Sequence, residues 1–199
     1  MKTSIVSCAM VLATLAPTVL GSTTVLPNGL ELRTADELNG LPITDMIFEG
    51  PITEGGPVVN LTGTAQSIYE RSFAPKSEVT GSDLDDRDLD TRANDINCKQ
   101  GSPVNFSQCY EGISYLRRLG RAWCGAGPFS CARVSCSNDC GMFLCNAGNT
   151  AFRASCSDIA NDMMGIRREC GRPRGRGRTV AAGQMSFGNH YTYLSGASC

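Results

Sequence analysis

The chain has 199 residues, 41% of them hydrophobic and 19% charged, and a net charge of −1. That length admits one or two small domains, and the balanced composition excludes a collagen-like, low-complexity or supercharged chain. The near-neutral total conceals a division. Residues 22–92 carry five basic and thirteen acidic side chains, net −8, and residues 93–199 carry twelve basic and six acidic, net +6.

At the N-terminus Lys2 precedes the apolar run SIVSCAMVLATLAPTVLG, which ends at the small residues Gly21 and Ser22. A basic start, an apolar centre and a small-residue cleavage site read as a secretory signal peptide over residues 1–21, cut at Gly21. Pro17 interrupts the run and no charged stop-transfer flank follows, which argues against a transmembrane anchor. The protein is therefore expected to be secreted and extracellular. Of eleven cysteines only Cys8 lies in this leader. The other ten are Cys98, Cys109, Cys124, Cys131, Cys136, Cys140, Cys145, Cys156, Cys170 and Cys199. An even count in an oxidising route predicts a disulfide framework of up to five bridges, with the pairing left open. Zinc is disfavoured because Cys131, Cys136, Cys140 and Cys145 contain no C-x-x-C knuckle. With a single histidine no His-rich metal site is possible, and no cofactor is expected.

Residues 22–92 lack cysteine after the leader and scatter Gly and Pro, with one strand-like run, PVVNLTG. They end in the acidic run SDLDDRDLDTR. The composition predicts a mostly disordered acidic pro-segment or linker. Leu89-Asp90-Thr91-Arg92 resembles the Leu-x-x-Arg sites of fungal kexin-like proteases. Cleavage after Arg92 would leave a cysteine-rich mature domain over 93–199.

Within that domain, Cys109, Ile113, Leu116 and Gly120 recur on one helical face, with Asn105 or Ser107 as N-cap. Ile159, Met163, Ile166 and Cys170 repeat the pattern. There Ser155 or Ser157 caps the start, Arg167 and Arg168 suit the last turn, and Gly171 follows it. The segments CARVSC and GMFLCN between these helices read as strands. GQMSF and YTYLSG read as two more, joined by a turn at Gly188-Asn189. The expected fold class is α+β, with a mainly antiparallel sheet, preceded by the poorly structured acidic segment.

Arg172, Arg174, Arg176 and Arg178 alternate with Gly and Pro in GRPRGRGRTV. Lying between a helix and a strand, they are expected in an exposed loop and form the candidate contact with an anionic partner. No aromatic residue interleaves them, so base stacking has no platform and no specific nucleic acid is expected. Catalytic groups are sparse. His190 is the only histidine, no Gly-x-Ser-x-Gly elbow occurs, and Asp158 and Asp162 share a helix face as the one carboxylate pair suited to acid–base work. No catalytic residue is assigned, and the protein is expected not to be an enzyme. A secreted ribonuclease-like hydrolase using His190 is the enzymatic alternative. Asn60 (NLT) and Asn105 (NFS) are formal glycosylation acceptors.

The segments SCSNDCGMFLCNAGN, ASCSDIANDMMGIRREC and AGQMSFGNHYTYLSGASC resemble a group of secreted cysteine-rich fungal proteins. The group includes the smut-fungus killer toxin and the necrosis-inducing extracellular effectors of plant pathogens. The resemblance covers roughly residues 98–199. It rests on Cys131, Cys136, Cys145, Cys156, Cys170, Gly183, Gln184 and Cys199. The chain departs from the pattern at Ala147, at Cys140, at Ala182 before Gly183-Gln184, and in the arginine loop. The resemblance implies a disulfide-stapled α/β sandwich, an antiparallel sheet with two helices on one face. It also implies a monomeric effector or virulence factor acting on a host protein or anionic surface, with uptake by host cells left open. The alternative is an antimicrobial killer-type toxin acting on a membrane channel.

Overall fold

The periodic segments of the cysteine-rich half fold as their spacing predicts, and parts of the acidic segment, expected to be poorly structured, are folded as well. The computed structural model describes residues 38–51, 55–73 and 95–199. In chain order these form β1 (Ile43–Pro51), β2 (Val58–Gly63), α1 (Ala65–Phe73), β3 (Asp95–Asn97) and β4 (Val104–Asn105). A 3-10 turn (Phe106–Cys109) leads into α2 (Tyr110–Leu119), then β5 (Trp123–Ala126), β6 (Ser130–Ser137), β7 (Cys140–Asn146) and β8 (Phe152–Ser155). α3 (Cys156–Cys170) is followed by β9 (Arg172–Pro173), β10 (Thr179–Ala181), β11 (Gly183–Ser186) and β12 (His190–Gly196). The leader, Gly21, the acidic run 82–92 and Arg92 lie outside the described residues.

The main sheet has the order β3-β11-β12-β7-β6-β1-β5-β8, with β2 paired to β1; β4, β10 and β9 form a small second sheet. The pairings are antiparallel except β1 with β6, where Ile43, Thr44 and Asp45 lie opposite Cys131, Ala132 and Arg133. The fold is thus a disulfide-stabilised α+β arrangement. Five bridges join Cys98–Cys170, Cys109–Cys140, Cys124–Cys156, Cys131–Cys145 and Cys136–Cys199. All ten predicted cysteines are used, and the four closely spaced ones are shared among three bridges.

The helix caps show how local sequence sets the ends. Ser155 accepts a hydrogen bond from the Asp158 N–H at 3.0 Å, opening α3, and Ile159, Met163, Ile166 and Cys170 are buried as the 3.6-residue period requires. Asn105, not Ser107, caps the 3-10 turn before α2, accepting from the Ser107 N–H at 3.4 Å. Gly120 ends α2 with φ 61°.

The expectation of a poorly structured acidic segment is corrected for residues 38–51 and 55–73. β1 bridges the sheet: residues 43–45 pair with β6, and residues 47–49 pair with β5. Its inward side chains Met46 and Phe48 are fully buried, as are Ala65 and Ile68 of α1. They join one core with α2, α3 and the inner residues of the sheet. Leu38 enters a second core with Phe143, Tyr191, Tyr193 and the Cys131–Cys145 bridge. There the Tyr191 hydroxyl donates to the Leu38 carbonyl at 3.1 Å. Composition misled because Asp45 and Glu49 face outward while Met46 and Phe48 alternate with them and face in. Both acids also pair across the chain: Asp45 with Arg133 at 3.9 Å, and Glu49 with Arg153.

Candidate functional site

The candidate face is assembled at the C-terminal end of α3. Arg167 and Arg168 occupy its last turn, where the helix carbonyls favour positive charge. The chain must then turn sharply to form the next strand. Gly171 closes the helix by donating its N–H to the Arg167 carbonyl at 2.8 Å. Its backbone is extended, with φ −66° and ψ 131°, not left-handed as a C′ glycine usually is. Glycine is needed here for space: a Cβ would stand 2.2 Å from the Arg167 oxygen and 3.1 Å from Cγ2 of Thr179.

The arginine run that follows is more ordered than a connecting loop. Thr179 pairs with Pro173 and Val180 with Arg172, so β9 and β10 make a short hairpin. Inside it the Arg174 N–H donates to the Arg178 carbonyl at 2.9 Å. The tip turns through three left-handed residues, Gly175 (φ 55°), Arg176 (φ 52°) and Gly177 (φ 69°). Two glycines take up this conformation without steric cost, and Arg176 is the one side chain forced into it. Arg172, Arg174, Arg176 and Arg178 are all exposed, and none is ion-paired to another described residue. The Cys98–Cys170 bridge ties the base of this hairpin to the loop after β3.

Between α3 and the hairpin lies an open cleft of about 310 Å³, lined by Met164, Arg167, Arg168, Gly171, Pro173 and Thr179. The Arg167 guanidinium is held 5.3 Å from the Phe106 ring and 5.8 Å from the Tyr110 ring, and those rings meet edge to face. Such stacking fixes a guanidinium while leaving its charge unneutralised. Arg168 is shared with its neighbour Glu169 at 3.0 Å. Six arginines thus lie within residues 167–178, with one acid, Glu169, among them. Sequence reasoning assigned Arg167 and Arg168 only to the helix end. The signal available was proximity in the chain; the Phe106 and Tyr110 contacts are long-range and carry no local mark.

The remaining sequence candidates are dispersed. His190 stacks on Phe152 at 3.7 Å between ring centres, lies parallel to Phe187 at 5.4 Å, and touches Asn189 Oδ1 through Nδ1 at 3.4 Å. Burial holds its pKa below the usual 6.5, favouring the neutral imidazole. Asp158 and Asp162 are half-buried along α3, and Asp158 serves the helix start. Among the described residues no three His, Cys, Asp or Glu side chains are grouped to hold a metal ion. No helix of the described residues is long and apolar enough to cross a membrane. Asn60 is exposed on β2, and Asn105 is committed to its cap.

Comparison with known protein families, with curated proteins and with solved structures finds no match for this chain.

Proposed function

We propose that the protein is a secreted, non-enzymatic fungal effector that acts on a plant host by engaging an anionic partner through the arginine face. The observation that carries this reading is the hairpin at 172–178: four exposed guanidiniums, none paired with a described carboxylate, on a base anchored by a disulfide. Exposed cations on a hairpin anchored by a disulfide attract anionic surfaces. Arg167, oriented by Phe106 and Tyr110, extends the same positive field into the cleft. The resemblance of the cysteine framework to killer toxins and necrosis-inducing effectors supports secretion and the α/β sandwich, with α2 and α3 on one face of the sheet. It does not select a target, because one fold serves many.

Processing belongs to the same reading. Cleavage after Arg92 would cut the chain between α1 and β3. Residues 38–73 contain no cysteine, so they would stay in place through non-covalent contacts alone: packing, β1 pairing, the Tyr191–Leu38 hydrogen bond and the two ion pairs. The mature form we propose is therefore a nicked protein that retains β1, not an isolated 93–199 domain.

The test is infiltration of the oxidised, secreted protein into leaves, scoring cell death and the oxidative burst. The variant carrying Arg172→Gln, Arg174→Gln, Arg176→Gln and Arg178→Gln is run beside it. We expect the response to be lost in the variant while its melting temperature is unchanged, and its elution from a polyanion column to shift to lower salt. An undiminished leaf response would reduce the hairpin to a connector. Inhibition of competing fungi with no leaf response would favour the killer-type toxin acting on a channel.

A further inference from the structure

Four large hydrophobic side chains are exposed among the described residues: Ile47 (42%), Val58 (63%), Trp123 (44%) and Phe129 (54%). The first three lie on one face. In β1 the residues alternate, Met46 and Phe48 inward, Ile47 and Glu49 outward. In β2 Val58, Asn60 and Thr62 are the exposed set. The register then defines a continuous row across three strands, because Asn60 lies opposite Glu49 and Glu49 lies opposite Trp123. Neighbouring strands are about 4.8 Å apart, so Asn60 and Trp123 are roughly 10 Å from each other on the same surface. Ile47 flanks the row on one side and Val58 on the other.

Asn60 and Thr62 are also the acceptor and the hydroxyl of the sequence Asn60-Leu61-Thr62. Asn60 makes no side-chain hydrogen bond within the described fold, and Leu61 between them faces the core. The second acceptor sequence is differently placed. Asn105 is half-buried, its side chain caps the 3-10 turn, and Phe106 beside it is buried. A substituent there would remove a cap and obstruct the pairing of β4 with β10.

We infer that Asn60 carries an N-linked glycan, and that this glycan lies along the row to Trp123 and covers the exposed apolar face of β2, β1 and β5. Three large apolar side chains exposed on one surface invite a cover. The inner sugars of an N-glycan present C–H faces to an aromatic ring and hydroxyls to water, which suits a surface of Trp123, Ile47 and Val58 set around Glu49. The indole is already oriented: the Arg153 guanidinium sits 5.3 Å from its centre and pairs with Glu49. Attachment requires the secretory route, which the five disulfides support. The acceptor machinery there uses a lipid-pyrophosphate-linked oligosaccharide. A bond forms between Asn60 Nδ2 and the anomeric carbon, the anomeric C–O bond to pyrophosphate breaks, and the lipid pyrophosphate leaves with that electron pair. The amide nitrogen gives up one proton. None of these residues belongs to the arginine face, so the inference rests on the proposed function only for secretion and not for the partner it engages.

The test uses the full chain secreted from a fungal host. Intact mass and peptide mapping are recorded before and after glycoamidase treatment. Trp123 is the only tryptophan, so acrylamide quenching of its fluorescence reports cover at this one position. We expect one glycan at Asn60 and none at Asn105, and a higher quenching constant after its removal. The Asn60→Gln variant should match the deglycosylated protein in quenching and the wild type in melting temperature to within a few degrees. An unmodified Asn60 overturns the inference. A glycan at Asn60 with unchanged Trp123 quenching, or a glycosylated protein that sediments as a dimer shielding Trp123, overturns the cover.

Discussion

Replacing Phe48 with alanine tests whether the acidic half of the chain is part of the fold. Phe48 is fully buried on β1, opposite Leu61 on one side and Cys124 on the other. Truncating a buried phenylalanine costs about 3–5 kcal/mol, the sum of lost transfer energy and the cavity left behind. No disulfide holds β1, so nothing covalent limits the loss. For a chain of this size each kcal/mol moves the melting temperature by about 2–4 °C, which places the expected drop at roughly 6–20 °C. Thermal and denaturant unfolding of oxidised wild type and Phe48→Ala would measure it, with the denaturant midpoint falling. Had residues 22–92 been a loose pro-segment, Phe48 would behave as a surface site, within about 0.5 kcal/mol of wild type. A change that small would refute the bridging role of β1 and restore 93–199 as the folded unit.

Other outcomes follow from the same structure. Gly171→Ala should destabilise by about 1–3 kcal/mol through overpacking against the Arg167 carbonyl, since φ −66° suits any residue and the obstacle is steric. Chemical denaturation would show it, and a neutral result would contradict the close approach. His190 is held below its ordinary pKa by burial, so the unfolded chain binds the proton more readily than the folded one. Its contribution to stability is complete above pH 6.5 and is lost as the pH falls from there through the folded value. His190→Gln should therefore flatten the acid-side decline of melting temperature relative to wild type. An identical pH profile in the two proteins would show that the stacked imidazole titrates as it does in water.

Much of the fold was legible because it is locally encoded. The 3.6-residue spacing of Ile159, Met163, Ile166 and Cys170 and the cap at Ser155 define α3 without reference to the rest of the chain. The strands at 131–136 and 141–146 announced themselves by short apolar runs between turn residues, and Gly188-Asn189 marked the last hairpin. The acidic segment was misread at residues 43–51 for a physical reason. A strand of alternating character has an unremarkable average composition, and its apolar half counts only once a sheet exists to receive it. The arginine hairpin was half legible: its exposure followed from charge, but its β9–β10 pairing needed the anchor at Cys170 and the space left by Gly171.

By itself the sequence determined the quantities that are local or additive. These are the charge division at residue 92, the count of ten framework cysteines, the two amphipathic helices and the run of arginines. The tertiary structure decided what lies opposite what. Only the folded chain selects five disulfide pairs from ten thiols, because each pair requires two Cα atoms that are distant in sequence to come within bonding reach. Only the folded chain inserts β1 between β5 and β6, sets Arg167 over two aromatic rings, and brings Asn60 into one row with Trp123. Each of these arrangements joins residues far apart in the chain and exists only once apolar burial has closed the chain on itself.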